Sequence, residues 1–123
     1  IVSNSRITFE YAGIYNIQFS VQLANNDNAS QDIDIWFRKN GTDIANSNSR
    51  FGLAPRKAVG DPFHLVGALN FFASTAANDY WELMWRTSNT NAQIEYYAAG
   101  TTPTRPATPS VILTTTFVSS VIT

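Results

Sequence analysis

The segment spanning residues 32–44 (DIDIWFRKNGTDI) limits the possible folds more than any other part of the chain. In its first half, apolar side chains occupy every second position, namely Ile33, Ile35 and Phe37. This period of two is typical of a β-strand that buries one face in an apolar core. Asn40-Gly41 follows directly, and both residues tolerate the positive φ angles of a tight primed turn. The segment therefore predicts a β-hairpin whose return strand begins at residues 42–44.

The outer face of this predicted strand has an unusual composition. It carries two acids, a large aromatic side chain and a base, namely Asp32, Asp34, Trp36 and Arg38. A strand face that only meets solvent more often carries Thr, Ser or Lys. We therefore expect this row either to form a binding surface in solvent or to be buried against another subunit.

Alternation of apolar and polar residues continues along most of the chain. Besides the hairpin, the predicted strands are residues 3–9, 15–23, 46–50 (a weak edge strand), 63–74, 80–87, 94–98 and 111–118. The predicted loops are residues 25–30, 52–62 and 100–109, the last with three prolines that forbid regular pairing. The predicted buried side chains include Ile17, Phe19, Ile35, Phe37, Leu83 and Trp85.

Residues 63–74 (FHLVGALNFFAS) are apolar at both alternating sets of positions. A helix is the competing interpretation, but Gly67, the preceding Pro62 and the turn residues at 77–79 favour a strand. A strand of this composition is either buried on both faces or placed at a subunit contact.

The number and spacing of these segments predict an all-β fold. Eight or so short strands without a convincing helix or internal repeat form an antiparallel β-sandwich or barrel, and the jelly roll is the commonest eight-stranded form. The 123 residues fit one domain, and a hydrophobic content of 44% is ample for one core. Because the chain starts at Ile1 in strand-like sequence, we expect residues 1–123 to be a single domain from a longer chain.

The low charge of the chain narrows the possible partners. Charged residues make up 14% of the sequence, against about 25% in an average soluble domain. The formal net charge of −1 provides no positive field, so we expect no nucleic-acid partner. No apolar run approaches about 18 residues, so we expect no membrane insertion. Uncharged polar surface is common where subunits pack against each other.

No arrangement of residues predicts catalysis, a metal site or a cofactor. His64 is the only histidine, and no motif surrounds it, so a structural or interface role is the better interpretation. Asp32 and Asp34 share a strand face and are possible cation ligands, but partners such as Arg38 or Lys39, or plain solvation, explain them better. Cysteine is absent, which excludes disulfides and thiolate metal sites. We predict that the chain is not an enzyme.

Three short motifs resemble one family of domains. They are Gly13-Ile14-Tyr15, Arg38-Lys39-Asn40-Gly41 and Asn78-Asp79-Tyr80, followed by a proline-rich loop and the closing segment PSVILTTTFV. In this order, over residues 5–118, they resemble the C1q/TNF-like jelly-roll domains of bacteriophage structural proteins. The first strand of the family is short or missing here.

The resemblance implies a ten-stranded jelly roll that assembles as a homotrimer on a virion. It implies a structural role with other virion proteins as partners, as a capsid decoration or a tail-fibre knob, and no catalytic activity. Trimeric jelly rolls bury one sheet of each protomer, and Tyr and Trp are enriched at interfaces. The predicted trimer contacts are Trp36, His64, Val66, Phe72, Tyr80 and Tyr97.

The alternative function is a receptor- or carbohydrate-binding module at the tip of a phage tail fibre. Exposed aromatic side chains can stack on sugar rings as well as pack between subunits, and loops at the ends of a sandwich commonly carry recognition. A host surface glycan or receptor is then the partner. The predicted ligand-binding residues lie in the three loops, namely Asn25, Asn26, Asp27, Asn28, Arg56, Lys57 and Arg105.

Overall fold

The computed structural model describes residues 6–120, and within them it contains strands, turns and loops but no helix. The strands are β1 (Arg6–Thr8), β2 (Gly13–Asn25), β3 (Gln31–Lys39), β4 (Thr42–Asp43), β5 (Ser49–Leu53), β6 (Phe63–Thr75), β7 (Tyr80–Thr87), β8 (Ala92–Ile94), β9 (Gly100–Thr101), β10 (Thr104–Arg105) and β11 (Val111–Ser119). The pairings within the two main sheets are antiparallel. The predicted all-β class is therefore confirmed.

The strands form two main sheets around one core. Sheet A has the order β1-β7-β3, with β4 and β5 on the other side of β3. Sheet B has the order β11-β2-β6, and β8 also pairs with β2. Strands β1, β2 and β3 alternate between the sheets, as do β5, β6, β7 and β8. This antiparallel β-sandwich is compatible with a jelly-roll connectivity.

The predicted hairpin is present at the predicted position. Lys39 pairs with Thr42, and the two turn residues between them, Asn40 and Gly41, have φ angles of 50° and 82°. Both residues therefore have the positive φ that a primed turn requires. The alternation predicted for residues 15–23 is also confirmed, because Ile17, Phe19, Val21 and Leu23 face the core and are buried.

Phe37 is the aromatic centre of the core. Its ring stacks on Phe71 from β6 at a centroid distance of 5.1 Å and meets Phe19 from β2 edge to face at 5.9 Å. Trp81 from β7 packs against the same ring at 6.1 Å. Phe37 and Trp81 belong to sheet A, and the other two belong to sheet B, so these contacts join the sheets across the sandwich.

Several predicted boundaries differ from the structure. The weak edge strand predicted at residues 46–50 is β5, which begins at Ser49 and ends at Leu53, because Leu53 is buried in the core and Phe51 packs against Gly67 of β6. The strand predicted at 94–98 is instead β8, which ends at Ile94. The proline-rich loop contains the short pair β9–β10. Residues 3–5 of the first predicted strand lie outside the described residues.

The prediction that Trp85 is buried is wrong. Trp85 points between the sheets, opposite the inner side of β11, but 44% of it is exposed. The sheets do not close over it: a cleft of about 630 Å³ at this side of the sandwich is lined by Trp85 together with Arg6, Val111 and Leu113. Leu83 on the same row is only half-buried, whereas Trp81 is fully buried in the closed part of the core.

Strand β6 confirms the strand interpretation of residues 63–74 and excludes the helix. It pairs with β2 over thirteen consecutive residues, from Asn25↔Phe63 to Gly13↔Thr75. Its inner row packs on the core, but its outer row is not buried within the chain, because Val66 and Phe72 are exposed. Burial of both faces inside one chain is therefore wrong, and the subunit contact stays a prediction.

Asp79 ties the hairpin turn to the start of β7. Its Oδ1 accepts a hydrogen bond from Asn40 Nδ2 (2.9 Å), and its Oδ2 accepts one from the backbone N–H of Ala76 (2.8 Å). Lys39 Nζ lies 3.3 Å from the same Oδ2, and Asn40 Oδ1 accepts a hydrogen bond from the backbone N–H of Tyr80 (3.0 Å). The hydrogen bonds from Asn40 and Ala76, with the Lys39 ammonium, lower the pKa of Asp79 to about 2.

The three short motifs of the sequence therefore have structural explanations. Residues 38–41 and 78–80 form one hydrogen-bonded network, although 39 positions separate Asn40 from Asp79. Gly13 lies directly under the ring of Phe117, where a Cβ atom would come within 2.6 Å of a ring carbon. Tyr15 meets the same ring edge to face at a centroid distance of 5.5 Å. These residues make contacts that join neighbouring strands.

The central position of Phe19 leads to a stability prediction. Phe19→Ala removes a buried ring between the sheets, and we expect the free energy of unfolding to fall by about 3 to 5 kcal/mol. Tyr11→Ala is the control, because Tyr11 is exposed and its replacement should change stability by less than about 0.5 kcal/mol. Denaturant unfolding measures both values. A loss below about 1 kcal/mol for Phe19→Ala would contradict this description of the core.

The lowered pKa of Asp79 predicts a pH-dependent contribution to stability. The ordinary value is 3.8, so the ionised carboxylate stabilises the fold above about pH 4, and this contribution is lost as the pH falls through about 2. We expect Asp79→Asn to be less stable than the parent chain at pH 5 by about 1 to 2 kcal/mol, because solvent weakens part of the interaction. The difference should shrink towards pH 2. A difference that is the same at pH 5 and pH 2 would refute this role of the charge.

Candidate functional site

The charged residues are divided unequally between the two sheets. The strands of sheet A contain nine charged residues, including Asp34, Arg50 and Arg86. The four strands of sheet B contain no Asp, Glu, Lys or Arg at all. The outer faces of the two sheets therefore differ in chemistry, and each is a candidate for a different kind of contact.

The outer face of sheet B combines neutral polar groups with separate apolar side chains. Its central strand presents Asn16, Gln18, Ser20 and Gln22. Beside them lie the exposed side chains Phe72 and Val66 on β6 and Ile112 on β11. The middle of the face has a shallow depression of about 470 Å³.

Both edges of sheet B lack charge as well. Among the described residues β6 and β11 pair only with β2, so the outer backbone of each strand is unpaired. Exposed edge strands normally carry Lys, Pro or inward-pointing charges that prevent pairing with another chain. Strand β6 is thirteen residues long and has none of these features.

The structure places the six predicted trimer residues on two opposite faces. Trp36 and Tyr80 lie on the outer face of sheet A, and His64, Val66 and Phe72 lie on that of sheet B. Tyr97 belongs with the second group, because its hydroxyl hydrogen-bonds His64 Nδ1 at 2.9 Å. Burial, and then the charge of Glu95, raise the pKa of Tyr97.

On sheet A, the predicted outer row is interrupted by a buried carboxylate. Asp34 lies directly opposite Arg50 of β5 on one side and Arg86 of β7 on the other. Its Oδ1 accepts a hydrogen bond from Arg50 Nε (3.0 Å), and its Oδ2 accepts one from Arg86 Nε (2.7 Å). The partners suggested by the sequence, Arg38 and Lys39, bind Asp43 and Asp79 instead.

Electrostatics keep Asp34 ionised although it is buried. Burial raises its pKa, but the hydrogen bonds from Arg50 and Asn48 and the charges of Arg50 and Arg86 outweigh this effect, so the net pKa is lower than usual. In return, the hydrogen bond to Asp34 raises the pKa of Arg50. The buried carboxylate is thus held between two guanidinium groups in the middle of the sheet.

Trp36 stands next to this group in a fixed orientation. Its Nε1–H donates a hydrogen bond to Asp43 Oδ1 (2.9 Å), which also accepts one from Arg38 Nε (2.9 Å). The bond from Arg38, and then that from Trp36, lower the pKa of Asp43. A concavity of about 380 Å³ is lined by Asp34, Trp36, Asp43, Ile44, Asn46, Asn48, Arg50 and Arg86.

Two of the three predicted ligand loops are held together at one end of the sandwich. Asn25 is fully buried, and its Nδ2 donates to the carbonyl oxygens of Ala29 and Ala54 (3.0 Å each), so it supports the loop and has no surface for a ligand. Arg56 donates from Nη1 to the carbonyl oxygen of Asn26 (3.3 Å). Asn28 and Lys57 are exposed beside them.

Asp27 and Arg105 are both used within loops. The hydrogen bond from Gln31 Nε2 to Asp27 Oδ2 (2.8 Å) is the main cause of a lowered pKa of Asp27. Arg105 donates from Nη1 to the carbonyl oxygens of Thr102 and Pro103, inside its own loop. The structure therefore joins two of the three predicted loops, and no hydrogen bond among residues 6–120 joins Arg105 to them.

In the described part of the chain, no group of three or more His, Cys, Asp or Glu side chains is arranged to hold a metal ion. Residues 6–120 also include no helix that is long and apolar enough to span a membrane.

Comparison with known proteins adds no relative. No family model, no curated protein and no solved structure matches the chain. The resemblance of its motifs to C1q/TNF-like domains therefore stays a prediction from the sequence.

Proposed function

We propose that this chain is a non-enzymatic structural protein of a virion that works as a homotrimer, as a capsid decoration or a fibre knob. The observation that carries the proposal is sheet B, which has no charged residue on its face or on either edge. Association through this sheet buries no unpaired charge, the costliest group to remove from water.

The apolar side chains of sheet B supply the attraction. Val66, Phe72 and Ile112 are exposed in the single chain, and burying each in a contact is favourable. Covering β6 and β11 also protects two long, uncharged edges that would otherwise offer open pairing sites. A second copy of the same chain fits this surface because its own sheet B is equally free of charge.

A ring of three uses the two sides of sheet B separately. A cyclic trimer needs two different patches, each of which meets the other on the neighbouring protomer. Sheet B offers one patch on β6, with Val66 and Phe72, and another on β11, with Ile112 and Val118. In the proposed trimer, the β6 patch of one protomer contacts the β11 patch of the next.

The size of sheet B limits the surface that each contact of a ring can bury. Strands β2 and β6 are thirteen residues long, so the face is roughly 43 Å long and, with three strands, roughly 14 Å wide. In the proposed ring, the resulting area of about 600 Å² is divided between two contacts, about 300 Å² for each. A standard interface buries roughly 800 Å² per partner, so the edges of β6 and β11 must supply much of each contact.

The virion as the location, with other virion proteins as partners, rests on the resemblance of the three motifs. The packing of Gly13 under Phe117 and the network of Asn40 with Asp79 give those motifs a shared structural purpose. They support membership of a common fold more than a common ligand.

A receptor-binding module at a fibre tip is the second candidate function. The contact between Arg56 and Asn26 supports it, because this contact gathers exposed polar groups of two loops at one end of the sandwich. Exchange of residues 25–30 and 52–62 should then abolish attachment of the particle to host cells. Unchanged attachment would contradict the receptor-binding function, and the structural role would be the remaining proposal.

Light scattering during size-exclusion chromatography tests the trimer. We expect the mass of three chains at micromolar concentration. Val66→Arg places a charge in the β6 patch and should produce monomers with unchanged circular dichroism, because Val66 is exposed in the single chain. The control Thr42→Lys adds a charge to exposed β4 of sheet A and should remain trimeric. A monomeric or dimeric parent chain would refute the proposal.

Immunogold electron microscopy tests the location. Antibodies against the chain should label intact particles, on the head for a decoration protein or on the fibres for a knob. If the chain is produced in the preparation but the particles carry no label, the virion assignment is wrong.

A further inference from the structure

We propose that the outer face of sheet A holds a binding site for the carboxylate of an acidic sugar, formed by Arg50 and Arg86 around Asp34, with Trp36 beside them. All of these residues come from one chain, so the site does not depend on trimerisation. It also lies on the face of a sheet, away from the loops in which the sequence predicted a ligand.

Asp34 orients both arginines but leaves some of their N–H donors without a hydrogen bond within the described part of the chain. Both bind Asp34 through Nε, and the terminal Nη groups make no hydrogen bond with any of residues 6–120. The side chain of Asp34 is only 4% exposed, whereas those of Arg50 and Arg86 are 60% and 52% exposed. The buried carboxylate therefore positions two sets of N–H donors that remain accessible to a ligand.

This arrangement suits a carboxylate. Paired N–H donors of a guanidinium match the two oxygens of a carboxylate, and such charge-assisted hydrogen bonds are stronger than neutral ones. Because Asp34 already holds both side chains, binding does not have to immobilise two flexible arginines, which lowers its entropic cost.

The net charge around the site is small. Two arginines and Asp34 leave one positive charge, and Asp32 is close enough to raise the pKa of Arg50 further. The positive field is therefore weak, and directional hydrogen bonds contribute most of the attraction. A highly charged polyanion such as nucleic acid is disfavoured, because the surrounding acids repel it.

The rest of the concavity suits a sugar better than a peptide. Its volume of about 380 Å³ lies within the range of small-molecule sites. Asn46 and Asn48 offer amide donors and acceptors for hydroxyl groups. Trp36, whose indole N–H is bonded to Asp43, lines the same concavity, and the C–H face of a sugar ring can pack against its aromatic ring.

Nuclear magnetic resonance of the ¹⁵N-labelled chain, titrated with D-glucuronic acid, tests the site. We expect the Nε–H signals of Arg50, Arg86 and Trp36 to shift with a dissociation constant of about 1 mM, which is normal for a ligand of this size. Glucose at the same concentrations should produce no shift, because it lacks the carboxylate.

Matched variants separate the site from non-specific attraction. Arg50→Gln and Arg86→Gln should each weaken glucuronic acid binding at least tenfold. Arg86→Lys should also weaken it, because lysine keeps the charge but lacks the planar fork. The control Arg6→Gln removes the same charge from β1, where Arg6 packs over the ring of Tyr80, and should leave the dissociation constant unchanged.

Three outcomes would overturn the proposal. They are equal shifts with glucose and glucuronic acid, unchanged affinity in both Arg→Gln variants, and binding of acetate or a glutamate-rich peptide as tight as that of glucuronic acid. The last outcome would show that the arginines bind any carboxylate and that the sugar ring contributes nothing to the affinity. None of these outcomes affects the mass of the oligomer, so the trimer succeeds or fails separately.

Discussion

The start of β7 in sheet A is held by hydrogen bonds that join Asn40 to Asp79 and to Tyr80. Asn40 holds Asp79 and the backbone of Tyr80 at the turn of the hairpin, so β7 starts at a defined point beside β3. From that point Trp81 turns into the core and Arg86 reaches the outer side of Asp34. A slip of one residue would reverse both directions, because successive side chains of a strand point to opposite faces. The polar contacts of this turn thus help to determine which side chains of β7 enter the core and which lie on the outer face of sheet A.

The two sheets share one interior but meet different surroundings. Sheet A exposes arginines and carboxylates, which stay hydrated or paired, whereas sheet B exposes amides, hydroxyls and separate apolar groups. The outer face of sheet B is therefore better suited to contact with another protein chain, and the outer face of sheet A to contact with solvent. In the proposed trimer, three copies of the Arg50 and Arg86 site would remain accessible, and weak single contacts would combine when a ligand carries several acidic sugars.

Alternation along the chain predicted what depends on local sequence. It placed Ile17, Phe19, Ile35 and Phe37 in the core, and Asn40-Gly41 predicted the hairpin. It did not predict the exposure of Trp85, because alternation shows on which side of a sheet a residue lies and not how far the opposite sheet extends. The partners of Asp34 were also missed, since 16 and 52 positions separate it from Arg50 and Arg86. The contact between these three charged side chains can be predicted only when it is known which strands are neighbours in the sheet.

Because the strands of sheet B contain no Asp, Glu, Lys or Arg, contacts through this sheet in the proposed trimer would depend little on ionic strength. At physiological ionic strength, charges in solvent are screened beyond about 8 Å, and this screening weakens ion pairs but not the burial of apolar surface. An assembly joined through β6 and β11 would therefore keep the same affinity between its subunits over a wide range of ionic strength. The arginine pair on sheet A would respond to the same changes, so the medium could release a ligand without separating the subunits.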